Sequence, residues 1–361
     1  MKSRELDICK ATIRKLELDL SDLTVCTECA SGPYAYTPVM ALMAGAKKVL
    51  SVGRSTSYGT FEENSEKIKA LCTAAGLDAG KISFIEKSQL HSDHLQEVNI
   101  LTNSGMLRPV KEEVIRSLPS FAVIPLMWET WEFRSSDLDL PACQKNGIPV
   151  IGTNESFPAI NMFGYNAFIV MKLLFDLGIE GHNNKVVLLG GGKSGYGAFA
   201  GLKNTSIDVL WYTHDGEKGS KTYAELSGLL DQDHVDAIIN FEHEHPINVF
   251  DGSFGLSFSA LAKRFPSIAY GHICGNVDPA ALKQSGIHHL PEKILPFGYM
   301  SYATENIGPR PVFELCAMGL KVGELAARKR LQNTGIEETI RYTVDAGIGM
   351  DFPGGFLNYT A

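Results

Sequence analysis

A chain of 361 residues is too long for one ordinary hydrophobic core and points to two domains of about 150 residues each. With 44% hydrophobic and 20% charged residues it reads as soluble and globular, and its apolar runs break off before the roughly 18 residues that a membrane span needs. A formal charge of −8, with no domain carrying a Lys/Arg-rich face, excludes a nucleic-acid surface built to neutralise phosphates.

Residues 1–5 lead into a charged helix rather than a signal sequence, so the expected compartment is the cytoplasm. Seven scattered cysteines, an odd number, read as reduced thiols. Cys26-Thr27-Glu28-Cys29 has redox or half-zinc spacing, but no second pair follows and residues 25–30 read as a strand, so a structural role is expected. Glu242-His243-Glu244-His245 and His288-His289 offer metal-binding side chains without an evident third ligand, and no metal is expected.

In chain order, Leu6, Cys9, Ile13 and Leu16 form the stripe of an amphipathic helix over residues 4–18. Strands are expected at 23–29, 48–52, 82–85, 98–102, 121–125 and 149–152, with helices at 37–46, 61–75, 110–117 and 137–146. This βα alternation predicts a parallel sheet covered by helices on both faces. A long apolar helix over 161–177 marks the boundary to a second set: strands at 185–189, 207–213, 235–241, 267–273 and 287–290, and helices at 197–203, 223–230 and 256–264. A final helix over 312–330 is long enough to return to the first domain, and 340–344 reads as a strand before a glycine-rich loop at 347–355. The expected fold class is α/β, with two doubly wound parallel-sheet domains, one flavodoxin-like (1–155 and 310–361) and one Rossmann (156–309), and a cleft between them.

The organising stretch is Lys185-Val186-Val187-Leu188-Leu189-Gly190-Gly191-Gly192-Lys193-Ser194-Gly195. In a strand-to-helix turn that grips a dinucleotide, Gly190 allows the tight turn, Gly192 lets backbone approach the pyrophosphate, and Gly195 lets helix pack on strand. The following helix offers its free N–H groups to phosphate, with Gly191, Lys193 and Ser194 in the same turn. Asp215 lies twenty residues past Gly195 at the end of the next strand, where a ribose-binding carboxylate belongs. Such a carboxylate favours NAD over NADP, although Lys218 and Lys221 keep NADP open. Gly192-Lys193-Ser194 is not an ATP loop, because Val187 stands where that motif needs glycine.

The order of parts resembles the formate/glycerate dehydrogenase-like superfamily, which holds the D-2-hydroxyacid dehydrogenases, alanine dehydrogenase and S-adenosylhomocysteine hydrolase. Asp137-Leu138-Asp139-Leu140, residues 147–154, the glycine loop, Val277-Asp278 and Ala281-Leu282 carry the resemblance. It implies a nicotinamide cofactor, with Asn276 beside it, and a small substrate bound between the domains. The chain is a divergent member by this reading. Residues 270–278 hold no arginine where the hydroxyacid enzymes bind the substrate carboxylate, and Phe297 stands where they carry a proline-histidine pair.

The expected proton carrier is therefore another group. His272, near the C-terminal end of a strand, is the first candidate; Tyr299 and the hinge residue Glu155 are the others. Arg54, Arg108, Arg134 and Arg310 are candidates to hold an anionic substrate through their planar forks, and Asn154 at the hinge is a further contact. These expectations describe an NAD(P)-dependent oxidoreductase acting on a small hydroxy, oxo or amino acid-like metabolite, with a symmetric dimer as the usual assembly. Two alternatives stand beside it: an NAD-retaining lyase or hydrolase that oxidises its substrate transiently, and a non-catalytic dinucleotide-binding regulatory protein.

Overall fold

The structure, a computed structural model, describes residues 4–217 and 219–360. It divides into two compact units, one built from the chain up to Asn161 together with the chain from Pro309, the other from Met162–Gly308.

Unit 1 begins with α1 (Arg4–Lys15), β1 (Thr24–Cys29), α2 (Tyr36–Met43), β2 (Lys48–Gly53), α3 (Phe61–Ala75), β3 (Ile82–Glu86) and α4 (Ser92–Leu95). It continues through β4 (Ile100–Leu101), α5 (Glu112–Arg116), β5 (Ile124–Pro125), α6 (Leu140–Asn146) and β6 (Val150–Thr153). Unit 2 follows with α7 (Asn166–Asp176), β7 (Lys185–Leu189), α8 (Gly192–Leu202), β8 (Asp208–Thr213), β9 (Lys221–Thr222) and β10 (Ala237–Phe241). It closes with α9 (Phe258–Arg264), β11 (Ala269–Cys274), α10 (Pro279–Ser285) and β12 (His288–Leu290). The chain then returns to unit 1 as α11 (Arg310–Leu331), α12 (Ile336–Asp345) and β13 (Gly349–Met350).

In unit 1 the parallel order β3-β2-β1-β4 is joined to β5-β6 by a parallel bridge between Ile100 and Val123, and β13 adds an antiparallel edge to β6. With β3 set aside, the order β2-β1-β4-β5-β6 is that of a flavodoxin sheet, and β3 extends it by one edge strand. The 22-residue α11 packs on β4, β5 and β6 and buries Val312, Phe313, Ala317, Met318, Leu320 and Val322. Its Gly323 lies so close to the sheet that a Cβ there would stand 2.7 Å from Ile100 Cγ2.

Unit 2 has six parallel strands in the order β12-β11-β10-β7-β8-β9, the doubly wound Rossmann order. The unbroken apolar run of β7 reflects burial on both faces. Val186 and Leu188 enter one core with Leu173, Ala198 and Ile239, while Val187 and Leu189 enter the other with Tyr212, Leu226 and Tyr270.

Three expectations change. Residues 340–344, expected as a strand, lie in α12, because Thr339, Ile340 and Thr343 are spaced to bury one helical face and Glu337 and Glu338 favour its first turn. The expected helix at 223–230 is a 3-10 segment, Tyr223–Asp231, started by a Thr222/Glu225 capping box. The expected helix over 161–177 splits into a 3-10 turn, Met162–Tyr165, and α7. No helix among the described residues is long and apolar enough to cross a membrane.

Candidate functional site

Ligands of open α/β sheets bind beyond the carboxyl ends of the strands, where the strand order reverses. In unit 2 that point lies between β7 and β10, and the glycine turn stands on it. Gly190 has φ +118°, and a Cβ there would collide with the carbonyl of Phe241 on β10. Gly195 meets Gly190 backbone in the same way, so the first turn of α8 packs directly on the strand end. Trp211 Nε1 donates to the Gly190 carbonyl at 2.7 Å and fixes the turn from β8. Gly191 is the N-cap of α8, and Gly192 follows at φ +63°.

The helix N-terminus already holds an anion. Gly192 N–H donates to Glu217 Oε1 at 2.5 Å, and a Cβ on Gly192 would collide with the carboxylate of Glu244. Glu217, from the loop after β8, thus occupies the N-terminus of α8, a position where a helix end favours an acidic group. Burial, with Glu242 and Glu217 nearby, pushes the Glu244 carboxyl above its usual range. Glu242 itself is buried and paired: it accepts from Tyr223 Oη and from the N–H groups of Glu244 and His245. The donor set fits a dinucleotide, with glycine backbone free of Cβ at the turn, an anion-binding helix end and an exposed Asp215 at the end of β8. Glu217 must leave the slot for a phosphate to enter it.

Asp215 is not alone. Its Oδ1 lies 2.6 Å from His214 Nδ1 and its Oδ2 3.7 Å from His245 Nε2. The loops after β8 and β10, from strands flanking β7, bring the two histidines together with ring centroids 4.3 Å apart. Sequence reasoning missed this meeting: His245 lacked a third partner along the chain, and its partner comes from about thirty residues earlier through the sheet order. Lys193 lies 5.7 Å above the Phe163 ring, and Ser194 is buried with its carbonyl accepting from Asn166 Nδ2. Asn276 donates to the Pro246 carbonyl at 3.1 Å, tying the loop after β11 to the loop after β10. Lys218 lies outside the described residues, and Lys221 is on β9.

His272 is fully buried, its Nδ1 is 3.0 Å from Ser301 Oγ and its Nε2 3.2 Å from the Gly275 carbonyl. Burial pushes it down to about 4, and both ring nitrogens face partners within the protein. Tyr299 is exposed on the loop after β12, with its N–H bonded to the Pro296 carbonyl.

The reversal in unit 1 lies between β1 and β4 and gathers polar groups that the sequence pattern does not single out. Glu28, near the end of β1, is buried; burial pushes its carboxyl up to about 7 against the opposing N–H groups of Met106 and Gly105 and the Arg108 charge. Beside it on the same strand, Thr27 Oγ1 accepts from Thr102 Oγ1 at 2.9 Å, and Thr102 in turn lies 2.8 Å from Ser104 Oγ. A carboxylate inside a strand buried along its whole length was the available signal, masked by the two cysteines that frame it.

The expected substrate clamps are mostly committed elsewhere. Arg108 stacks 3.9 Å from the Trp128 ring, donates twice to the Asn103 carbonyl and meets Asp137, which also pairs with Arg134 at 2.9 Å. These two arginines therefore brace the 103–108 and 134–137 loops. Arg310 forms a one-turn pair with Glu314 at the start of α11. Asn154 donates to the Gly347 carbonyl and accepts from Ser156 N–H. Arg54 is exposed, with one N–H on the Arg108 carbonyl that also accepts from Lys87. Lys87 is pushed down to about 8 by burial and by Arg54 and Lys111, so cationic charge is concentrated there. Glu155 pairs with the Glu132 carboxyl, and burial, then Glu132 and Glu129, push it well above the usual carboxylate range.

No family model matches the sequence. No curated protein matches it either. Solved structures do: a dipicolinate synthase chain from Bacillus subtilis matches with TM-score 0.54 at 12% identity, covering 88% of this chain and 99% of that one. The corresponding dipicolinate synthase chain from Bacillus halodurans matches with TM-score 0.52 at 13% identity, covering 83% and 96%. These matches show that the chain shares the α/β fold of the two dipicolinate synthase chains. At this identity the likeness is one of fold, and it agrees with the resemblance carried by the glycine loop and the Val277-Asp278 segment. An NADPH-dependent glyoxylate/hydroxypyruvate reductase from Sinorhizobium meliloti is a looser match, with TM-score 0.46 at 11% identity over 82% of this chain and 91% of that one.

Proposed function

We propose that the chain is an oxidoreductase that binds a nicotinamide dinucleotide at the glycine turn of unit 2 and acts on a small polar or anionic metabolite. The observation that carries this reading is the Gly192 N–H held by a carboxylate at a Rossmann switch point, with Asp215 at the end of the next strand. The α8 N-terminus and the Gly190–Gly195 backbone would hold the pyrophosphate, and Asp215 would accept from ribose hydroxyls, favouring NAD over NADP. When bound, the nicotinamide accepts or supplies hydride. Within unit 1, Glu28, a buried carboxyl pushed up to about 7 beside the Met106 N–H, and the cations Arg54 and Lys87 are assigned to a proton-exchanging, acidic ligand. A cytoplasmic homodimer is part of the same proposal, and light scattering of the purified protein tests the assembly.

The test is a calorimetric titration of cofactor-stripped protein with NAD and NADP, after mass spectrometry for copurified dinucleotide. Micromolar or tighter binding, lost in Asp215→Ala and Gly192→Val, is expected. Folded protein that binds neither dinucleotide sinks the reading.

A second reading, a dinucleotide-binding regulatory protein without turnover, is favoured by the closed state of His272. Dinucleotide binding with no hydride transfer across broad panels of hydroxy, oxo and amino acids would select it.

A further inference from the structure

His214, Asp215 and His245 are drawn from two loops, yet their ligand atoms all lie within 4.8 Å of one another. A zinc-type ion with bonds of about 2.1 Å sets its tetrahedral ligand atoms roughly 3.4 Å apart. Asp215 Oδ1 lies 2.6 Å from His214 Nδ1 and its Oδ2 3.7 Å from His245 Nε2, and with one ligand atom from each residue no separation exceeds 4.8 Å, so side-chain adjustment of about an ångström brings the three donors to that spacing.

The surroundings hold both histidines in place. The buried pair of Tyr223 and Glu242 serves each of them: Glu242 Oε1 accepts the His245 N–H at 3.0 Å, and the Tyr223 ring packs edge-on against the His214 ring with centroids 6.3 Å apart. The backbone of one ligand and the ring of the other are thereby held against a buried pair, which limits the side-chain ordering that ion binding must add. The neighbouring carboxylates of Glu217 and Glu244 add negative charge, which favours a cation at this cluster. Two imidazoles and one carboxylate suit zinc, cobalt or nickel better than calcium or magnesium, which prefer all-oxygen shells.

We propose that His214, Asp215 and His245 form a binding site for a divalent transition metal ion at the carboxyl edge of the unit 2 sheet. Three protein ligands leave a coordination position open, so the ion takes a water or a small anionic ligand as its fourth partner. The site shares Asp215 with the proposed ribose contact but does not depend on a dinucleotide being bound.

The test uses chelator-treated, cofactor-stripped full-length protein titrated with cobalt(II), followed by visible absorption and calorimetry. We expect saturable binding with the intense absorption of a tetrahedral, nitrogen-containing site. His245→Ala and His214→Ala should each weaken it at least about tenfold. Gly195→Ala, whose Cβ meets the backbone of Gly190 rather than Glu244 and which should weaken dinucleotide binding, should leave cobalt binding intact. Thermal unfolding without metal checks that each variant is folded; a misfolded alanine variant is replaced by His245→Gln, for which the same loss is expected. No saturable cobalt binding to the folded wild-type protein, or binding unchanged in both folded histidine variants, overturns the proposal. Dinucleotide binding measured on the same preparations separates its failure from failure of the oxidoreductase reading.

Discussion

Glu217 Oε1 accepts the backbone N–H of Gly192 at the first turn of α8, 2.5 Å away. A carboxylate in this position is stabilised by the helix end, so any incoming phosphate must replace it. Removing it should make the slot easier to fill. Glu217→Ala is expected to tighten NAD binding about three- to tenfold, the equivalent of about 1 kcal/mol for one charge-assisted contact. Unchanged or weaker NAD affinity in calorimetry would show that the carboxylate does not compete.

Gly195 tests the turn itself. A Cβ there meets the backbone of Gly190, which cannot swing aside as a side chain would. Gly195→Ala should cost roughly 1–3 kcal/mol of stability through overpacking and also weaken dinucleotide binding. Denaturant unfolding gives the first quantity; a variant as stable as the wild type would mean that α8 does not press on β7 as closely as described.

Glu28 makes stability depend on pH. Its folded value, about 7, lies above the ordinary 4.5, so the folded protein holds this proton more tightly than the unfolded chain does. The contribution is fully present below about 4.5 and is lost as pH rises through 7. Between pH 5 and pH 8, Glu28→Gln should gain on the wild type by roughly 2–3 kcal/mol, since the variant has no charge to bury. Parallel unfolding curves at the two pH values measure it, and a constant difference between the proteins would place the Glu28 carboxyl at its ordinary value.

All seven cysteines are free and buried, and burial pushes the thiols of Cys26 and Cys316 up to about 12. A disulfide reagent at pH 8 is therefore expected to label the native protein very slowly and all seven thiols once denaturant is added. Fast labelling of one thiol in the native state would identify a local opening that exposes it.

Much of this architecture is legible along the chain because β7, β8 and β10 are apolar runs separated by helical segments, and the glycines after β7 mark a turn where a Cβ cannot fit. Local pattern fails where the deciding partner is distant. Ile340 to Val344 has the branched and aromatic residues of a strand, yet α12 forms because its buried face packs against α11. His272 at a strand end has the place of a proton carrier, but Ser301 and Gly275 close over both nitrogens. His214 and His245 meet only because β8 and β10 flank β7. The arginines carry the right chemistry for a carboxylate, and nothing in their spacing reveals that Asp137 has claimed two of them.

Because unit 1 is interrupted by unit 2 and its α11 supplies the cover for β4, β5 and β6, synthesis imposes an order on maturation. The Rossmann unit is complete once Gly308 has left the ribosome, whereas β4, β5 and β6 of the other unit must wait uncovered until the roughly twenty further residues that end α11 arrive. A nascent chain stalled before Pro309 would carry one finished unit and one dependent on chaperones.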